Sequence, residues 1–125
     1  MKARFSYVGI RVKDLDQSVD FYTRLLGMTV KRRAKIKETK GEIAELVSED
    51  ERFTLELNCY EKSSPYNTEY AAGEGLDHLA FDVEDLDKAV EEMRSAGYPL
   101  TLEIRTERSR WAYVEDPNGI WIELQ

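Results

Sequence analysis

The chain contains a single histidine, His78, so any imidazole chemistry within it belongs to that residue. Two carboxylates stand out by their surroundings. Glu56 lies in Phe53-Thr54-Leu55-Glu56-Leu57-Asn58, and Glu123 lies in Ile120-Trp121-Ile122-Glu123-Leu124-Gln125, the same alternation in each half of the sequence. One imidazole and two carboxylates form a donor set for a divalent metal such as nickel, cobalt, zinc, manganese or iron(II). Three protein ligands leave positions for water or substrate, which a catalytic metal needs. Each residue alone has an ordinary alternative: a surface histidine, or a glutamate serving as a solvated cross-strand partner. Their recurrence at equivalent positions of a repeat is what singles them out. A two-histidine, one-carboxylate iron(II) dioxygenase site cannot be built within a chain that has one histidine.

The repeat covers the sequence once over. Val12-Lys13-Asp14-Leu15-Asp16 matches Val83-Glu84-Asp85-Leu86-Asp87, and Val19 then meets Val90. Gly27 meets Gly97 only if the second copy has one helix residue fewer. Tyr7 falls opposite His78, and Glu56 opposite Glu123. Two copies are too few for a solenoid. Each copy reads as strand, helix and three strands, an α+β arrangement of two βαβββ modules. Module one spans about residues 3–62, a linker about 61–75 and module two about 76–125, all within one domain. First strands are predicted over 6–12 and 77–83 from their alternation. Helices follow near 16–26 and 87–96, with Asp16 and Asp87 as expected N-caps. Gly27 and Gly97 sit where a left-handed C-terminal residue is wanted. The remaining strands are expected near 29–35, 42–48, 53–60, 100–103, 111–115 and 120–124, with hairpin turns at 48–51 and 116–119.

Strand alternation separates two faces. Val8, Ile10, Val12, Phe53, Leu55, Leu57, Leu79, Phe81, Ile120, Ile122 and Leu124 need cover, which the amphipathic helices supply. Tyr7, Arg11, Glu56, Tyr60, His78, Asp82, Trp121 and Glu123 share the other faces, which suggests a groove with functional groups pointing in. Within it Arg11 is either a surface charge or an anchor for a substrate carboxylate. Tyr60, Trp121 and Tyr7 are candidate substrate contacts. Arg105, Arg108 and Arg110 read as a solvated loop, and Cys59 as an inert residue of the apolar face. The net charge of -7 argues against nucleic acid, which needs a basic surface. No apolar window is long enough to cross a membrane. Residues 1–5 lack the apolar stretch of a secretory signal, and the single cysteine excludes an internal disulfide. A cytoplasmic location is expected.

Three segments resemble the vicinal oxygen chelate superfamily, the glyoxalase I and bleomycin-resistance group. Val12–Met28 (VKDLDQSVDFYTRLLGM) is similar to its first-helix signature. Leu76–Val83 (LDHLAFDV) is similar to the opening of its second module, and Tyr113–Leu124 (YVEDPNGIWIEL) to its C-terminal F-x-x-D-P-D-G-x-x-I-E-L. The resemblance implies paired, curved mixed sheets with helices on the outer faces. It implies a metal bound by one residue from each of four strands, where Glu56, His78 and Glu123 match the second, third and fourth ligands and Tyr7 replaces the first histidine. Arg11 matches an arginine that contacts the glutathione carboxylate, and Tyr60 replaces an asparagine that assists it. The implied activity is that of lactoylglutathione lyase: isomerisation of a 2-oxoaldehyde–thiol hemithioacetal through a metal-stabilised enediolate, with Glu123 or Glu56 as the base. Glutathione or another thiol is then co-substrate, and the small-molecule site belongs to a homodimer. The same resemblance admits a non-catalytic binding protein of the bleomycin-resistance kind, for which Tyr7, Tyr60, Tyr66, Tyr70, Trp111 and Trp121 suit stacking on a flat ligand. An epimerase or thiol transferase is a further reading.

Overall fold

The computed structural model describes Lys2, residues 7–74, Leu76 and residues 78–125. Ala3, Arg4, Phe5 and Ser6 of the expected first module, Gly75 of the expected linker and Asp77 of the expected second module lie outside the described residues. The chain divides into two compact units, Met1–Glu69 and Tyr70–Gln125. The first contains β1 (Val8–Arg11), α1 (Leu15–Asp20), β2 (Thr29–Ile36), β3 (Gly41–Val47) and β4 (Thr54–Tyr60). The second contains β5 (His78–Phe81), α2 (Leu86–Ser95), β6 (Leu102–Arg105), β7 (Arg110–Glu115) and β8 (Trp121–Leu124). Each unit is therefore a βαβββ module with a four-stranded mixed sheet, in the orders β1-β4-β3-β2 and β5-β8-β7-β6. The first strand of each runs parallel to the last, and the other pairings are antiparallel.

The one-residue offset between the copies has a structural form. α1 does not continue to Gly27 as an α-helix: Phe21–Leu25 forms a π-helical turn. A π-turn takes up one residue more than an α-turn, so it absorbs the extra residue. Phe21 and Tyr22 are thereby both fully buried, with their rings edge-on at 5.2 Å. The second copy has no such residue, and α2 is regular. Gly27 (φ 69°) and Gly97 (φ 95°) take the left-handed conformation that their position predicted.

The caps differ from expectation. Asp14 and Asp85 are the N-caps, and their side chains accept from Gln17 N (2.9 Å) and Lys88 N (3.0 Å). In each Asp-Leu-Asp only the first aspartate has extended backbone, the geometry from which a carboxylate reaches the amide three residues on. Asp16 and Asp87 fall in the first turn instead, where negative charge suits the helix N-terminus. Both then reach an arginine. Arg33 on β2 bonds Asp16 at 2.7 Å and Glu42 at 2.9 Å, and Arg110 bonds Asp87 at 2.6 Å and also Glu103. Arg110 is thus a half-buried residue of β7, not part of a solvated loop.

Each helix packs on its own sheet, α1 against β3 and β4, α2 against β7 and β8. The alternating apolar residues Ile10, Val12, Ala44, Leu46, Leu55 and Leu57 form the first core, and Val114, Ile122, Leu124 and Met93 the second. Phe53 departs from the pattern. It precedes β4 in the chain turning from β3 and is 68% exposed. No helix among the described residues is long and apolar enough to cross a membrane.

Candidate functional site

The second sheet's polar face is built by a turn. In Asp116-Pro117-Asn118-Gly119, Asp116 Oδ1 accepts from the backbone N–H of Asn118 (2.7 Å) and Ile120 (2.8 Å), and Oδ2 from Asn118 Nδ2 (2.9 Å). Gly119 closes the turn at φ 82°. This turn fixes the β7–β8 register as Glu115 opposite Trp121, Val114 opposite Ile122 and Tyr113 opposite Glu123. On its other side β8 pairs with β5, Ala80 opposite Glu123 and His78 opposite Trp121.

Three functional groups meet as a result. His78 Nε2 stands 3.3 Å from Glu123 Oε2, and the Tyr113 hydroxyl donates to that same oxygen at 2.5 Å. Glu123 is 9% exposed and Tyr113 8%, whereas His78 is open to solvent. The Tyr113 ring lies edge-on to His78 with centroids 5.8 Å apart, and 5.5 Å from Trp121. Of the residues singled out in the sequence, His78, Glu123 and Trp121 therefore share one patch. Tyr113 was missed, although the turn carried the signal: centring a hairpin on Asn118 puts residue 113 across from residue 123.

The first sheet repeats the row with different side chains. Gly9, Glu56, Glu45 and Arg32 are consecutive partners across β1, β4, β3 and β2, as Ala80, Glu123, Tyr113 and Leu102 are across β5, β8, β7 and β6. Glu45 and Glu56 would repel each other as facing like charges. Arg32 offsets this by gripping Glu45 through two bonds of 3.0 and 3.2 Å. That bond raises the Arg32 pKa, assisted by the charges of Glu56 and Tyr7, and holds the Glu45 carboxyl below its usual range. Arg32 and Glu45 were also missed, for the same reason of register. Tyr7 itself precedes β1 and is exposed.

Arg11 is turned to the linker. Its guanidinium donates to Thr68 Oγ1 (2.8 Å) and to the carbonyls of Glu69 (3.1 Å) and Tyr66 (3.4 Å). Tyr60 lies over Gly41, where an added Cβ would meet its ring at 2.9 Å, and its ring centroid is 5.8 Å from that of Tyr66. Ser64, buried, ties the linker to β3's approach by donating to Thr39 O at 2.6 Å. Cys59 sits on the helix side of β4, near the Lys13 carbonyl, and burial pushes its thiol pKa up.

The donor chemistry suits a divalent ion. An imidazole nitrogen and a carboxylate oxygen 3.3 Å apart are spaced as two donors each about 2.0–2.2 Å from one ion can be. Tyr113 supplies the outer hydrogen bond that ligating carboxylates commonly carry. Among the described residues no three histidine, cysteine, aspartate or glutamate side chains are already grouped as a metal site. Glu56 occupies the register position in the first sheet that Glu123 occupies in the second.

The comparisons agree with this architecture. Residues 4–124 match the sequence model of the Glyoxalase/Bleomycin resistance protein/Dioxygenase superfamily. The lactoylglutathione lyase of Pseudomonas aeruginosa is 31% identical over 96% of this chain and 80% of its own length. A lactoylglutathione lyase of Arabidopsis thaliana is 36% identical over 97% of this chain, which spans only 43% of that longer protein. The trypanothione-dependent glyoxalase I of Leishmania major superposes with a TM-score of 0.76 at 34% identity, covering 98% of this chain and 86% of that one. Two βαβββ modules, repeat-equivalent glutamates and a family match over nearly the whole length lead to one conclusion: the chain belongs to the Glyoxalase/Bleomycin resistance protein/Dioxygenase superfamily.

Proposed function

We propose that the protein is a metal-dependent lyase of the glyoxalase I kind, converting the hemithioacetal of a 2-oxoaldehyde and a thiol into the thioester of a 2-hydroxy acid. The observation that carries the proposal is the approach of His78 Nε2 to Glu123 Oε2 on one sheet face. His78 and Glu123 are the proposed ligands of a nickel, cobalt, zinc, manganese or iron(II) ion, with Glu56 the third. Such an ion, when bound, would neutralise negative charge building on the substrate oxygens. The remaining work falls to side chains. Glu123 or Glu56 takes the proton from the carbon bearing sulfur and returns it to the neighbouring carbonyl carbon, so the isomerisation consumes no oxidant or reductant. Trp121, Tyr7 and Tyr60 contact the substrate, and Arg11 meets a thiol carboxylate if it leaves the linker. The names of the relatives support glutathione, and the Leishmania protein's trypanothione shows that a member can use another thiol. A homodimer in the cytoplasm completes the proposal, supported by the family resemblance and the lone half-buried cysteine.

Elemental analysis of tag-free wild type beside His78→Ala, after supply of each metal in turn, is the test. The expected result is near-stoichiometric metal in the wild type and its loss in the variant. Isomerase activity with a 2-oxoaldehyde and glutathione should then depend on metal and fall with Glu123→Gln. Absence of metal from both proteins with every ion offered would sink the lyase. The second reading, a binding protein, is favoured by the exposed Trp121 ring and by Tyr7 at the first ligand position. It expects aromatic ligands to bind equally in the presence and absence of chelator.

A further inference from the structure

We propose that Tyr113 is a positioning residue for Glu123, holding its carboxylate already oriented beside His78 for metal ligation. The proposal rests on the metal reading above and adds a residue to it. Oε2 of Glu123 is the oxygen nearest His78, and it is also the one that the Tyr113 hydroxyl occupies. A carboxylate oxygen offers about two lone-pair directions, so with one taken by the phenol a single direction is left for an ion beside His78. The phenol is itself fixed. Its ring is buried and in contact with both His78 and Trp121, and strand pairing sets its backbone directly across from Glu123. A free glutamate loses rotamer freedom when it is immobilised. Here Tyr113 imposes that restriction before the ion arrives. The register-equivalent residue in the first unit is Glu45, which cannot donate a hydrogen bond while ionised, so the device is confined to one half of the repeat. The superfamily signature that the chain resembles has Phe where Tyr113 stands, which makes Tyr113→Phe a conservative probe.

The experiment uses the full chain as wild type, Tyr113→Phe, Glu123→Gln and the double variant. Zinc and manganese affinities are measured by calorimetry. Zinc binding is also followed by the imidazole resonances of the sole histidine, which need no assignment. Zinc should shift the His78 signals in wild type and in Tyr113→Phe, with affinity about 10- to 100-fold weaker in the variant, the range usual for outer-shell partners. In the Glu123→Gln background Tyr113→Phe should cost nothing further, because the hydroxyl acts through that carboxylate. Unchanged affinity in Tyr113→Phe, or the same loss with and without Glu123, overturns the proposal. Zinc that leaves the wild-type imidazole untouched defeats the metal reading itself, a separate result. Should Tyr113→Phe fail to fold, the assigned Tyr113 Cζ resonance of wild type decides: it must respond to zinc if its hydroxyl sits on a ligating carboxylate, and a silent Cζ overturns the proposal.

Discussion

Replacing Asp116 with alanine tests the claim that a turn, rather than the sheet, sets the register of the site. Asp116 Oδ1 is the acceptor for two backbone amides, Asn118 N at 2.7 Å and Ile120 N at 2.8 Å, and the residue is only 4% exposed. Alanine strands both donors in a buried turn. At about 1–3 kcal/mol each the loss is about 2–6 kcal/mol. Asp116→Asn keeps Oδ1 and exchanges only Oδ2, the partner of Asn118 Nδ2 at 2.9 Å. It sacrifices one hydrogen bond, about 1 kcal/mol. Urea unfolding of the three proteins should therefore give the order wild type, Asn, Ala, with unfolding slopes alike. Amide exchange in β7 and β8 should accelerate most in the alanine variant, because pairing of Tyr113 with Glu123 begins at this turn. An alanine variant as stable as the asparagine one would show that the side-chain bonds do not hold the turn, and the register argument would fail with them.

Leu57→Ala should cost about 2–5 kcal/mol in chemical unfolding, since Leu57 is fully buried in the first core; a loss below that of an exposed-site control would contradict the packing. Gly97→Ala should cost about 1–2 kcal/mol from the left-handed backbone alone, because an added Cβ at φ 95° would touch nothing within 4 Å, and a neutral result would show that the chain relaxes there. Asp50 is held down to about 2 by the Ser48 hydroxyl and then by Arg52. A depressed folded-state value means that its contribution is present above the unfolded value near 3.8 and fades as pH falls toward 2. Carboxyl NMR titration should therefore find a low midpoint that rises in Ser48→Ala, and an unmoved midpoint would remove the hydroxyl as the cause.

The order of elements was legible because each leaves a local pattern: alternation for strands, a 3.6-residue spacing for helices and glycine at their ends. Gly27 and Gly97 were readable since left-handed backbone nearly requires glycine. The caps were misplaced by two residues because Asp-Leu-Asp offers two aspartates, and the choice between them depends on backbone angles that the sequence does not display. The π-turn was visible only as a missing residue in the repeat alignment. Glu56, His78 and Glu123 stand out by type and repetition. Tyr113, Glu45 and Arg32 draw their significance from partners across strands, which a residue's type does not display; for Tyr113 the register could be counted from the turn at 116–119.

The two rows show how far duplication alone determines chemistry. Both sheets set a small residue, a glutamate and a third side chain in register: Gly9, Glu56 and Glu45 in one, Ala80, Glu123 and Tyr113 in the other. The shared backbone supplies equal positions, and the third residue decides what the glutamate experiences. Next to Glu45 it faces a second carboxylate that needs Arg32 to offset the repulsion. Next to Tyr113 it gains a donor and the company of His78. The glutamates are thus equivalent in sequence but not in environment, and roles as ligand and base need not be shared equally between them. If Glu123 is the held ligand, the role of base falls to Glu56 in the proposed reaction. Glu56→Gln should then abolish turnover while weakening zinc's effect on the His78 imidazole only in part, as the loss of one of three proposed ligands would, whereas Glu123→Gln should weaken both strongly. The reverse pattern would assign the base to Glu123.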